Sequence, residues 1–168
     1  MFKNMCLVMA AFSGMLSQAI AAQEVPIVGT VASKCVVTTD TVGVYGNPSP
    51  SVLSTANASG GVEPIIRFDV IQANFYKAKI TYPNTFTESP ALEDVVNWTG
   101  DVSVAQVTDA QMSGYDNDKI NYDNVMEVDL SVAGSTWFKV ESQADYGYQK
   151  AFPAGTYRTV VGAECIAL

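Results

Sequence analysis

The chain contains no histidine among its 168 residues. That removes the commonest general base and the commonest zinc ligand, and with them any Ser-His-Asp or Cys-His catalytic arrangement. Positive charge is scarce as well, with 9 Lys+Arg against 17 Asp+Glu and a formal net charge of −8. The basic residues past the first few (Lys34, Arg67, Lys77, Lys79, Lys119, Lys139, Lys150 and Arg158) form no run. Binding to a phosphate backbone needs clustered cations, so no nucleic-acid partner is expected. Carboxylates remain: the pair Glu93-Asp94 and the cluster "YDNDKINYDN" with Asp116, Asp118 and Asp123. Glycoside hydrolysis needs two carboxyl groups at a set separation, which neither spacing fixes, so no enzymatic activity is expected. Calcium takes carboxylate and carbonyl oxygens, which makes Asp116, Asp118 and Asp123 weak candidates. The cluster lacks the Asp-x-Asp-x-Asp-Gly spacing and the closing Glu, and Asn and Asp are ordinary turn residues. A solvated loop is the expectation there, with no metal or cofactor.

What apolar length there is lies at the start. Lys3 precedes a run from Met5 to Leu16 broken only by Ser13 and Gly14, too short to span a bilayer. Ala19-Ile20-Ala21 then supplies the small-x-small pattern of a signal-peptidase site, so residues 1–21 read as a removed secretory signal and the mature chain has no transmembrane segment. Removal takes away Lys3 and no acidic residue, which moves the net charge from −8 to −9. About 146 residues remain, enough for one domain with a real core. Cys6 leaves with the signal. Cys35 and Cys165 are then the two cysteines of an exported chain, and a disulfide between them is expected, the alternative being two buried thiols.

Past the signal the apolar period is two rather than 3.6, with β-branched and aromatic enrichment and a turn signal every eight to fifteen residues or so. The pattern predicts an all-β antiparallel sandwich. "IIRFDVI" puts Ile66, Phe68 and Val70 on one face, "YKAKITY" puts Tyr76, Ala78, Ile80 and Tyr82 on one face, and the short "QANF" between them predicts a hairpin. "DVSVAQV" (101–107) is a further strand. "VMEVDLSV", with Met126, Val128, Leu130 and Val132 on one face, is expected to turn at Ala133-Gly134 into "STWFKVE" as a second hairpin. The Ser/Asn/Gly/Pro-rich stretch 46–64 reads as a long surface connection. In "TDAQMSGY", Thr108 or Asp109 is placed to cap a single helical turn ended by Gly114. Trp98 and Trp137 have two readings, a sugar-stacking platform or core packing, with Trp137 the stronger core candidate because it lies within an alternating strand.

The two ends of the mature chain stand out. In "VPIVGTV", Val25, Ile27, Gly29 and Val31 share one face of an extended segment, followed by "SKCVVTT" with Cys35. It is either an ordinary first strand or a donor strand that adds to the sheet of another subunit, its alternate side chains filling pockets and Gly29 sitting where there is no room for more. At the other end, "PAGTYRTVVGAECI" places Tyr157, Thr159, Val161, Ala163 and Cys165 on one face, and only Ala167 and Leu168 follow. An immunoglobulin-like sandwich closes with one more strand here; without it an apolar groove and an unpaired edge would be exposed.

The Gly-containing alternating segment, the "CVVT" strand, the "VGVYGNPSP" loop and the terminal "PAGTYRTVV" together resemble bacterial fimbrial subunits of the chaperone–usher type, and "C…VYG.P" is most similar to the spore coat U branch. The likeness covers the two ends and the first third; residues 83–145 match no pattern. It implies a domain 34–168 preceded by a donor strand 22–33, an acceptor groove beside Tyr157, Thr159, Val161 and Ala163, and polymerisation at the cell surface. The implied partners are other copies or related subunits, a periplasmic chaperone and an outer-membrane usher. A bridge between first and last strands departs from the many pilins that join their first two.

Overall fold

The computed structural model describes residues 26–30 and 34–168. The chain divides into two units, Met1–Val31 and Ala32–Leu168. The expected signal segment 1–21 and two residues of the expected donor strand, Val25 and Val31, lie outside the described residues. In the first unit, Ile27 and Val28 are 98% and 87% exposed, and residues 26–30 take part in no strand.

The second unit is the expected all-β antiparallel sandwich. One sheet is centred on β9 (Gly134–Tyr146), which pairs along one side with β6 (Val96–Val107). Along its other side it pairs first with β4 (Ile65–Val70) and then with β3 (Val52–Ser54). β1 (Cys35–Thr41) extends this sheet beyond β4, and β2 (Gly46–Ser49) extends it beyond β3. The second sheet runs β10-β5-β8-β7, from β10 (Gly162–Ala167) through β5 (Tyr76–Thr81) and β8 (Val125–Asp129) to β7 (Ile120–Tyr122).

The alternation read from the sequence sets the inward faces. Ile66, Phe68 and Val70 from β4, Ala78 and Ile80 from β5, Met126 and Val128 from β8, and Phe138 and Val140 from β9 form one buried cluster. Phe68 meets Phe138 edge to face at 5.7 Å between ring centroids, within the preferred aromatic range. Met112 and Tyr115 cap this core from a turn after β6. Asp109 caps that turn as expected, its carboxylate accepting the Gln111 N–H at 2.8 Å. Gly114 does not end it, because the chain continues as the short α1 (Tyr115–Asp118), whose Tyr115 hydroxyl accepts the Val132 N–H.

Neither expected hairpin forms. β4 and β5 lie in different sheets, as do β8 and β9, so 71–75 and 130–133 cross from one sheet to the other. Period-two alternation fixes which side of a strand faces the core, and two strands facing each other across a sandwich satisfy it as well as two neighbours in one sheet. Trp137 is also corrected. Thr136, Phe138 and Val140 are buried, which turns Trp137 to the outer face, where Arg67 lies 5.8 Å from its ring and Asp40 accepts its indole N–H at 3.2 Å. The stretch 46–64 is not a bare connection: it carries β2, β3 and a 3-10 turn at Asn57–Ser59. Gly46 allows this packing, since a Cβ there would lie 2.1 Å from the Ser59 carbonyl oxygen.

Candidate functional site

The edge strands β1 and β10 meet on one side of the sandwich, where Cys35 and Cys165 form a disulfide with a Cα separation of 6.2 Å. Away from this bridge the two chain stretches part. Between Thr39–Tyr45 on one wall and Gly155–Val161 on the other lies an open groove of about 830 Å³. Leu53, Ile66 and Ser142 line it as well, the first two buried apolar side chains of the first sheet. Among the described residues, Arg158 is the one charged residue lining it. An uncharged extended segment is therefore the kind of occupant that would lose little on desolvation there.

The C-terminal wall corrects the sequence reading in one respect. Strand pairing starts at Gly162, so Ala163 belongs to β10 and packs on the core, while Tyr157, Thr159 and Val161 precede the strand and line the groove. Arg158 is held from behind: its N–H donates to the Glu88 carbonyl at 2.9 Å, and its carbonyl accepts the Thr87 N–H at 2.8 Å. In an extended chain successive residues turn their main-chain groups to opposite sides, so those of Tyr157 and Thr159 face away from Glu88. Among the described residues the main-chain groups of Tyr157, Thr159, Val160 and Val161 make no backbone hydrogen bond. This is an unpaired edge beside an apolar trough. Tyr45 reaches over it, its hydroxyl sharing hydrogen bonds with Ser142 Oγ at 2.8 Å and Thr159 Oγ1 at 3.4 Å.

Aromatic packing fixes this wall. Phe86 contacts Trp98, Tyr157 and Phe152 at 4.7, 5.1 and 6.0 Å between ring centroids, and Phe152 stacks on Tyr146 at 5.1 Å. Trp98 is thus an edge-packed member of a satellite cluster rather than an open platform. Burial, then the neighbouring Tyr146, pushes the Tyr157 hydroxyl above the ordinary tyrosine range, and that hydroxyl donates to the Pro153 carbonyl at 2.7 Å. The sequence reading missed Tyr45, Leu53, Phe86 and Phe152. The Tyr45-Gly46 pair inside the "VYGNP" loop was the available signal, because a glycine required by close packing beside an aromatic marks a fixed loop.

The remaining candidates do not converge. Asp116 accepts the Val104 N–H at 3.0 Å and lies 3.7 Å from the Lys119 ammonium, which also pairs with Asp101 and donates to the Val102 carbonyl. Asp116 is thus already paired with a lysine, and Asp116, Asp118 and Asp123 form no metal-ligating group among the described residues. Glu93 is exposed beside Lys150, and Asp94 accepts the Val95 N–H.

On the far edge of the second sheet, Tyr122 donates to Glu127 at 2.6 Å and Lys77 donates to it at 3.0 Å, and both hold its carboxyl below the ordinary glutamate range. A depressed carboxyl contributes stability that is present above its unfolded value and lost as pH falls through the folded one. Glu127→Gln is expected to flatten the acid limb of stability against pH. Urea midpoints measured across the acid range check this, and an unchanged acid limb would contradict it.

No protein-family model matches the chain, and no curated protein or solved structure matches it.

Proposed function

We propose that this chain is an exported structural subunit of a cell-surface filament, and that residues 22–33 of one copy fill the groove of the next by β-strand addition. The observation that carries the reading is the groove itself, with the unpaired main chain of Tyr157, Thr159, Val160 and Val161 on one wall and buried apolar side chains on its floor. The matching occupant is on the same chain. "VPIVGTV" (25–31) is uncharged and as long in residues as the wall Gly155–Val161, and its Ile27 and Val28 are almost fully exposed. Burying such side chains contributes about 1.5–3 kcal/mol each, and the added ladder of main-chain bonds gives affinity with a fixed register. Each copy both gives and receives, so the contact is head-to-tail and produces open fibres. In this reading a periplasmic chaperone and an outer-membrane usher handle the subunit before its groove is filled, no cofactor takes part, and the disulfide forms first.

The test compares the oxidised mature chain with a version lacking residues 22–32 by size-exclusion chromatography with mass determination. The mature chain is expected to form concentration-dependent oligomers and the truncated chain to stay monomeric, with its melting temperature raised by the peptide "QEVPIVGTVAS" (23–33). Two stable monomers indifferent to the peptide would overturn the filament reading and leave a monomeric secreted β-sandwich in its place. Phe86→Ala probes the wall from behind. Losing three ring contacts is expected to cost about 2 kcal/mol and to reduce the peptide-induced rise in melting temperature, read by thermal melts with and without peptide.

A further inference from the structure

At the disulfide end of the sandwich, three large apolar side chains stand in water. Ile71, Phe75 and Leu168 are 73%, 53% and 66% exposed. They are fixed rather than scattered: the Ile71 N–H donates to the Lys34 carbonyl at 2.9 Å, and the Leu168 N–H donates to the Phe75 carbonyl at 3.1 Å. Lys34 is tied in turn to β5, its N–H donating to the Tyr76 hydroxyl at 2.9 Å. A second group of exposed apolar residues lies at the groove: Val42, Val44 and Val160 line it, and Val62 is bridged to Val44. Val42 and Val44 stand on the wall beyond the end of β1, away from the disulfide, and Val160 on the opposite wall.

We infer that the Ile71–Phe75 end of one copy docks on the valine rim of the copy whose groove it fills, a second contact beside the inserted strand. This rests on the filament reading above. The argument is one of reach. Only Ala32 and Ser33 separate Val31 from Lys34, so if Val31 sits in an acceptor groove, Lys34 lies at most about 11 Å from it. Ile71 is hydrogen-bonded to Lys34 and comes with it. Antiparallel pairing gives the stronger ladder, and an inserted strand antiparallel to Tyr157–Val161 leaves at the end of the groove opposite the disulfide, where Val42 and Val44 stand. Two exposed apolar patches are then brought within a tether's length, and burying them against each other fixes the angle between successive copies. An apolar patch on each end, one at the root of the donor segment and one at the mouth of the acceptor, is what a heterologous contact requires.

Ile71→Asp in the full mature chain tests this, with the free peptide 23–33 added to the chain lacking residues 22–32, parent and variant, as the control for the groove. The melting rise caused by the peptide is expected to match the parent, because Ile71 is not in the groove. Head-to-tail association, read as oligomer mass against concentration, is expected to weaken about tenfold or more. Phe75→Ser should act alike, and Ile71→Lys combined with Val42→Glu should recover part of the loss through a new ion pair across the contact. Association equal to the parent in both single variants would overturn the second contact while leaving strand insertion in place. A parent chain that ignores the peptide removes both.

Discussion

Replacing Cys35 and Cys165 together by serine is expected to lower the unfolding free energy by about 5 kcal/mol. The bridge spans 130 residues of sequence, and closing a loop of that length removes about this much conformational freedom from the unfolded chain. Against the roughly 5–15 kcal/mol that holds a domain together, such a loss is a large fraction of the whole. The location adds a second consequence. β1 and β10 are edge strands of different sheets, with no ladder hydrogen bonds joining them, so the bridge is the covalent tie that sets the spacing of the groove walls. The variant should therefore also lose most of its response to the peptide 23–33. Urea unfolding of the truncated chain, with and without reductant and with and without peptide, measures both effects; equal midpoints in the oxidised and serine forms would contradict them.

Phe68→Ala is expected to cost about 3–5 kcal/mol. Phe68 has no exposed surface, and its ring packs edge to face on Phe138 across the pairing of β4 with β9. Truncation leaves a void among side chains from both sheets, and little can move to fill it because β4 is paired on both of its sides. A denaturation midpoint within experimental error of the parent would mean that the core relaxes around the hole. The same substitution should leave Tyr45, Thr159 and the aromatic cluster behind Tyr157 in place, since none of them contributes to the Phe68 cluster.

Much of this architecture was legible in the sequence because side-chain alternation is a local property. Ile66, Phe68, Val70, Ala78, Ile80, Met126, Val128 and Leu130 are all buried as their period predicted. Asp109 announced its turn in the same local way. Pairing partners were not legible, since the face a strand buries says nothing about which strand lies beside it, and both expected hairpins turned out to be crossings between sheets. Trp137 shows the other limit. Trp137 was expected in the core because it lies within an alternating strand, but alternation alone does not say which phase faces inward, and Thr136, Phe138 and Val140 are the residues that do. At the site, Tyr157, Thr159 and Val161 line the open groove, and the sequence reading extended β10 too far back, because the Arg158 pairing with Glu88 comes from a distant loop with no periodic signal. The aromatic support of Phe86 and Phe152 was invisible for the same reason.

The central claim is that the edge at Tyr157–Val161 accepts a strand, and amide hydrogen exchange on the truncated chain with and without the peptide 23–33 tests it most directly. Bound peptide is expected to slow exchange at Tyr157, Thr159 and Val161, whose N–H groups make no backbone hydrogen bond in the described structure, while Arg158, already bonded to Glu88, changes little. Protection confined to another edge, such as β7 or the outer side of β6, or no protection at any amide, would contradict the account.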